Sequence, residues 1–211
     1  YSSAASDVYK RQIEDKYVIK DMIPRGIVYK TYIVAENEDG MYLIDQHAAA
    51  ERVNYEKCLK KILNPTIETI PLLIPISIEL PRNEYIVVKN HLDLLESIGI
   101  KCEEFGENTF IVRSHPTWLH ENVEKQDIEK IFELIAHNES FDKNKFIDHA
   151  AATMACRMSI KANDYITLDE AKYLLDCLRQ CDNPFNCPHG RPTIITYTKY
   201  DLEKMFKRVM D

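Results

Sequence analysis

The stretch "GIVYKTYIVAENEDGMYLIDQHAAAERVNYEKCLKKIL", residues 26–63, decides the fold. Its first part gives two strand-like apolar runs on either side of a polar ENEDG turn, the pattern of a hairpin. The second run ends at Asp45. From residue 48 to 63, Val53, Cys58, Leu59, Ile62 and Leu63 recur near helical spacing, with Asn64-Pro65 as the stop. A strand therefore feeds Asp45, Gln46 and His47 directly into the start of a helix.

Outward from there, "LLIPISIEL" is strand-like, "RNEYIVVKNHLDLLESIG" is an amphipathic helix closed by Gly99, and "IKCEEFGENTFIVR" is a second hairpin. "EKQDIEKIFELIAH" gives another helix. The remainder predicts a helix ending in "AAATMACRMSIKA", a helix from Thr167 with Glu170 completing a capping box, a strand "TIITY", and a closing helix after Thr198. The expected class is α+β. A discontinuous subdomain formed by residues 17–75 and 139–211 carries an inserted β-α-β-β-α subdomain at 76–138. Residues 1–16 are polar, small and without periodicity, and are expected to be disordered or extraneous to the fold.

At 211 residues and 45% hydrophobic content, the chain can bury a sizeable core. No run approaches the roughly 18 apolar residues of a membrane span, and the opening residues lack a signal peptide's apolar stretch, so a cytoplasmic location without membrane contact is expected. Six cysteines at uneven spacings suit reduced thiols, some of them metal-bound, better than a disulfide framework. The net charge of -7 argues against strong autonomous DNA binding, because that affinity comes from Lys and Arg neutralising phosphates.

In a helix starting near Ala48, His47 and Glu51 are four residues apart, separated by about 40° of rotation and one turn of rise. They can share one ion, and Asp45 can point to it from the strand end, where a carboxylate also favours the helix N-terminus. Glu56 is rotated by about 140° from Glu51 and is given a supporting role. Spacing alone equally allows Asp45 as a cap, His47 as a satisfied core histidine and Glu51 as a solvated charge.

A second constellation lies in "CLRQCDNPFNCPHGRP", residues 177–192. Cys187 and His189 flank a proline, and Gly190 permits the sharp turn that would bring both side chains to one point. Thiolate plus imidazole suits zinc or another first-row transition metal better than magnesium. Arg191 adds a cation able to take a phosphate bidentately. The plainer alternative is a loop with a buried free cysteine and an exposed histidine. Cys177 and Cys181, four apart, could join Cys187 and His189 in a closed structural zinc site, although such a pair is more often core packing. Cys156 in "ACRMS" is by default a buried small hydrophobe, followed by Arg157.

Taken together, "DQHAAAERVNYE", "ACR" and "CPHGRP" resemble the C-terminal domain of MutL, the DNA mismatch-repair family, in its nicking-endonuclease branch. The resemblance covers about residues 17–211, and Asp45, Gln46, His47, Ala48, Glu51 and Glu56 satisfy the family's acidic-helix pattern without departure. It implies a metal-dependent endonuclease that nicks one strand of duplex DNA. The metal ligands would be Asp45, His47, Glu51, Cys187 and His189 with Cys156 nearby. Asp45, His47, Glu51 and Arg191 would do the catalytic work, with Gln46, Glu56 and Arg157 behind them. The donor types suggest a regulatory or structural zinc and a more weakly held catalytic manganese.

The resemblance also implies a homodimer, a separate ATP-binding N-terminal region, and a sliding-clamp partner. No ATP site is expected within this stretch, since it has no glycine-rich phosphate loop. In "IPLLIP", residues 70–75, Leu72, Leu73 and Pro75 match the clamp motif, whereas Ile70 stands where the family usually has glutamine; the leucines could equally be strand core. The alternative functions are a non-catalytic dimerisation and partner-binding domain with structural zinc, and a small-molecule metallohydrolase.

Overall fold

Two antiparallel sheets organise the chain, in a computed structural model that describes residues 19–64, 66–119, 124–137, 142–159 and 164–208. The expectation for residues 1–16 falls outside that range. The first sheet has the order β1 (Ile23–Val28), β2 (Tyr32–Asn37), β3 (Gly40–Asp45) and β7 (Ile194–Thr198). Its inward row is Ile33, Ile44 and Ile194, which sit opposite one another across three strands and are nearly inaccessible. Against this row pack helix α1 (Gln46–Ile62), through Ala49, Ala50 and Val53, and helix α6 (Leu168–Arg179), through Ala171, Leu175 and Leu178. Small side chains at the start of α1 let its backbone come down close to the sheet. Gly40 is required where β7 joins, because a Cβ there would stand 2.3 Å from the Tyr197 carbonyl oxygen.

The second sheet has the order β4 (Thr69–Glu79), β6 (Thr109–Pro116), β5 (Lys101–Glu104). Helices α2 (Arg82–Lys89), α3 (Leu92–Ser97) and α4 (Glu124–Ala136) contribute Val88, Leu94, Leu95, Ile128, Ile131 and Phe132 to its core. That core runs on into α1 through Cys58 and Ile62, and into α5 (Lys143–Met158) through Phe146, Ala151 and Met154. Helix α1, about 26 Å long, thus serves the first core with its N-terminal half and the second with its C-terminal end. Helix α7 (Lys199–Met205) follows β7 directly, capped by Thr198. The class is α+β, as expected.

Three elements differ from the sequence expectation. The run read as one strand from Gly26 is two, β1 and β2, joined by a turn in which Tyr29 and Lys30 take φ of 54° and 53°. Two successive positive φ values usually require Asn-Gly, and neither residue is present to give the signal. The helix expected over 82–99 breaks at Asn90-His91. In one straight helix Leu94 and Ile98 would lie roughly 80–120° away from Val88; the break brings all three inward. Strand β4 begins at Thr69 rather than Leu72, and its ladder is interrupted between Pro71 and Ile76. Two prolines without N–H groups suit such an edge strand. Helix α5 ends at Met158, and the last residues of its expected run lie outside the described ones.

Burial pushes the thiols of Cys58 and Cys102 up from an ordinary 9.0 to about 11, and that of Cys181 to about 12. An unfolded thiol ionises near 9, so between pH 9 and 11 the unfolded chain releases protons the native chain keeps, and stability falls with rising pH. Urea unfolding should show this loss across that window, and the variant Cys58→Ala/Cys181→Ala should show a flatter decline than the native chain.

Candidate metal centre

The centre is built where β3 hands over to α1. Asp45 Oδ1 accepts the backbone N–H groups of His47 at 2.9 Å and Ala48 at 3.0 Å, so this carboxylate caps the helix. One turn further, His47 Nε2 lies 3.4 Å from Glu51 Oε1, as their four-residue spacing predicts. Glu51 is 2% exposed, and its Oε2 has no hydrogen-bond partner of good geometry among the described residues. A carboxylate oxygen buried in this way is costly unless a cation or donor compensates it.

The compensating groups come from the segment between α6 and β7, and α1 itself holds that segment in place. Glu56, buried, accepts the N–H of Asp182 at 2.8 Å and of Asn183 at 3.2 Å. Arg52 Nε donates to the Asn186 carbonyl, while its guanidinium lies 3.7 Å from Glu56. At the other end Asp45 N–H donates to Thr193 O at 3.0 Å. Between these ties Cys187 N–H donates to Arg191 O at 2.8 Å and Gly190 N–H to Cys187 O at 2.9 Å. They close a three-residue hairpin loop with Gly190 at φ 81°, the left-handed position where glycine is favoured.

This loop brings one ligand atom each of Glu51, Cys187 and His189 within 4.8 Å of one another, in the only group of three or more such residues among those described. His189 Nδ1 lies 3.4 Å from Glu51 Oε2. Cys187 is buried and His189 exposed, so the group has a protein side and a solvent side. Burial drives the Glu51 carboxyl upward, but the thiols of Cys156 and Cys187 and the imidazoles of His47 and His189 outweigh it. The group is held below the ordinary carboxylate range. Burial and the same carboxylate push the thiols of Cys187 and Cys156 up. One anion ringed by two thiols and two imidazoles is a donor set that suits zinc once the thiols lose their protons.

The other expected residues are distributed as follows. His47 and Cys156 adjoin Glu51 outside the group of three, and Cys156 is exposed on α5. Arg191 is exposed at the loop's end, where its charge eases ionisation of Cys156. Gln46, fully buried, donates from Nε2 to Asp164 O at 2.9 Å and so ties down the segment before α6. Glu56 is the strut already described. Arg157, expected behind the ligands, turns instead to the buried Asp127 of α4. Cys177 and Cys181 pack against the first core, with Cys177 Sγ 4.0 Å from Lys57 Nζ, and do not join Cys187 and His189. The four-ligand closed zinc site is therefore not formed. Leu72 packs against the second core, whereas Leu73 is 99% exposed and Pro75 is exposed. Sequence reasoning missed Arg52; its four-residue spacing from Glu56 was the available signal.

A small α+β unit with a Glu/Cys/His group between a helix start and a remote hairpin loop is the class these features define. The family model described as the MutL C-terminal dimerisation domain matches residues 25–166, and the chain belongs to that family. The match includes Asp45, His47, Glu51 and Cys156 and stops short of the Cys187 loop. Among curated relatives, the DNA mismatch repair protein MutL of Shouchella clausii is 46% identical over 93% of this chain and 30% of its own length. The protein of that name from Listeria welshimeri is 46% identical over 93% and 33%, and that from Anoxybacillus flavithermus 44% over 93% and 32%. The chain spans about a third of these relatives.

Glu56→Gln should loosen the loop and leave Arg52 short of its partner. The expected cost is about 1–3 kcal/mol in urea unfolding, together with a tenfold or greater loss of zinc affinity by titration. Unchanged zinc binding would mean that the loop holds its own shape.

Proposed function

We propose that this chain is the metal-dependent nicking module of a MutL-type mismatch repair protein, cutting one strand of duplex DNA, and that it also forms the homodimer. The observation that supports the hydrolytic part is Glu51: a buried carboxylate held in its ionised form, with one oxygen that lacks a hydrogen bond of good geometry among the described residues, at the meeting point of two segments more than 130 residues apart in sequence. Cys187 and His189, with Cys156, would hold zinc alongside Glu51; Asp45, His47 and Glu51 would hold the catalytic manganese. Divalent ions bound there supply a nucleophile at neutral pH and neutralise charge on the phosphate. Glu51, with two oxygens, would contribute to holding both ions. Arg191, exposed beside the group, orients the phosphodiester through its guanidinium.

The dimer is supported by the outer face of the first sheet. Val34, Leu43 and Ile195 form a cross-strand row there, with Met41 opposite Tyr197 one step along. Exposed Tyr200, Met205 and Phe206 extend the apolar surface onto α7. Contiguous exposed apolar side chains of this kind mark a contact surface. A sliding clamp is supported by Leu73 and Ile74, thrown outward where the β4 ladder is interrupted; Leu72, facing the core, serves stability instead. A clamp tether offsets the chain's acidic charge by raising the local DNA concentration.

One observation favours the non-catalytic reading: Asp45 Oδ1 is engaged in capping α1, which gives this acid a structural role of its own. A single assay separates the two. With manganese, the native chain should nick supercoiled plasmid, and Asp45→Asn or Glu51→Gln should slow nicking by about 100-fold or more. Clamp should stimulate the native chain, and Leu73→Ala should remove that stimulation without changing stability. No nicking by the native chain under any of these conditions supports the dimerisation module alone, and full activity with zinc alone defeats the division between the two metals.

A further inference from the structure

The turn joining β1 and β2 offers an aromatic ring and a cation at the same end of the first sheet as the metal centre. We infer that Tyr29 and Lys30 form a contact for the backbone of duplex DNA, with the Lys30 ammonium on a phosphate and the Tyr29 ring against the neighbouring sugar. This inference rests on the nicking function proposed above for its biological sense, but not for its test.

Placement is the first argument. Tyr32 pairs with Asp45, Ile194 pairs with Ile44, and Thr31 O accepts the N–H of Gln46 at 3.0 Å. The turn, the start of α1 and the Cys187 loop therefore all lie at one end of the first sheet. Adjacent strands are about 4.8 Å apart, so the turn lies roughly 7 Å to one side of the end of β3. A duplex, with grooves about 6 and 12 Å wide, presents phosphates at separations of that order. DNA brought to Glu51 and Arg191 would run past the turn.

The side chains themselves are the second argument. Tyr29 is 83% exposed and Lys30 is exposed. The other cations of this hairpin are neutralised, Lys20 by Glu38 and Asp39 and Arg25 by Glu36. Lys30 has no acid within ion-pair distance among the described residues. In a chain of net charge -7, an exposed lysine without an acidic partner among the described residues offers a phosphate a local attraction.

Backbone strain is the third. Both turn residues are in the left-handed region at φ 54° and 53°, where Asn-Gly would sit without strain. The Thr31 hydroxyl stiffens the turn by donating to Tyr29 O at 2.9 Å. A strained, braced and fully presented Tyr-Lys pair gives up stability for an exposed ring and charge.

That conflict between strain and function supplies the test. The variant Tyr29→Asn/Lys30→Gly installs the residues the turn prefers. Its Tm should rise, and its zinc binding and sedimentation should match the native chain. Its affinity for a short labelled duplex, measured at low salt without divalent metal, should fall by about fivefold or more, and the slope of log K against log salt should shrink by about one. Lys30→Gln alone should reproduce the change in slope. Unchanged affinity and slope, or no measurable duplex binding by the native chain, overturns the inference. So does dissociation of the dimer in the variant, which would make the turn a contact between copies. Loss of duplex affinity in the variant alongside a native chain that never nicks with manganese supports the contact and removes the nuclease reading, so the two failures are distinguishable.

Discussion

Helix α1 carries three buried charged side chains, Glu51, Arg52 and Glu56, each less than a tenth exposed. Burying a charge costs several kcal/mol unless it is paired and hydrogen-bonded. That constraint ties the molecule together. Glu56 and Arg52 satisfy each other and then the backbone at Asp182, Asn183 and Asn186, which leaves the following loop one way to lie. Glu51, a turn nearer the N-terminus, is satisfied only in part. Its deficit is met by whatever the loop brings, and the loop brings Cys187 and His189. The centre is thus a consequence of how α1 compensates its own buried charges.

The same helix explains why two cores behave as neighbours. Ala49, Ala50 and Val53 press on the first sheet, and Cys58 and Ile62 enter the core of the second. Within the second core, Arg157 of α5 pairs with the buried Asp127 of α4. The apolar outer face of the first sheet and the apolar bulge at Leu73 lie on different sheets, so a second copy and a clamp would engage separate surfaces. Under the proposed function, duplex DNA would meet the end of the first sheet, where Lys30 and Arg191 are exposed.

Much of this was legible in the sequence because it depends on neighbours along the chain. The strand-to-helix handover at Asp45 and the four-residue step from His47 to Glu51 are local periodicities. So is the capping box, in which Thr167 N–H donates to Glu170 Oε2 at 2.8 Å and Glu170 N–H to Thr167 Oγ1 at 3.2 Å. What was hidden depends on tertiary context. The Tyr29-Lys30 turn lacks the glycine that announces a positive φ. The break at Asn90-His91 is set by which face of α2 and α3 must reach the core. Leu72 and Leu73 look alike in sequence, but as successive strand residues they face opposite sides, and only the fold shows that Leu72 takes the core side and Leu73 the solvent side. Arg157 stands beside Cys156 in sequence, yet its partner comes from a different helix.

X-ray absorption at the zinc edge on the zinc-loaded chain tests most directly whether α1 and the Cys187 loop make one cation site. A mixed shell is predicted, with one or two sulfur ligands beside imidazole nitrogen and carboxylate oxygen, and Glu51→Gln should alter that shell while Cys177→Ser/Cys181→Ser leaves it unchanged. A sulfur-dominated shell that collapses in the Cys177→Ser/Cys181→Ser variant, or no stoichiometric zinc at all, would contradict it.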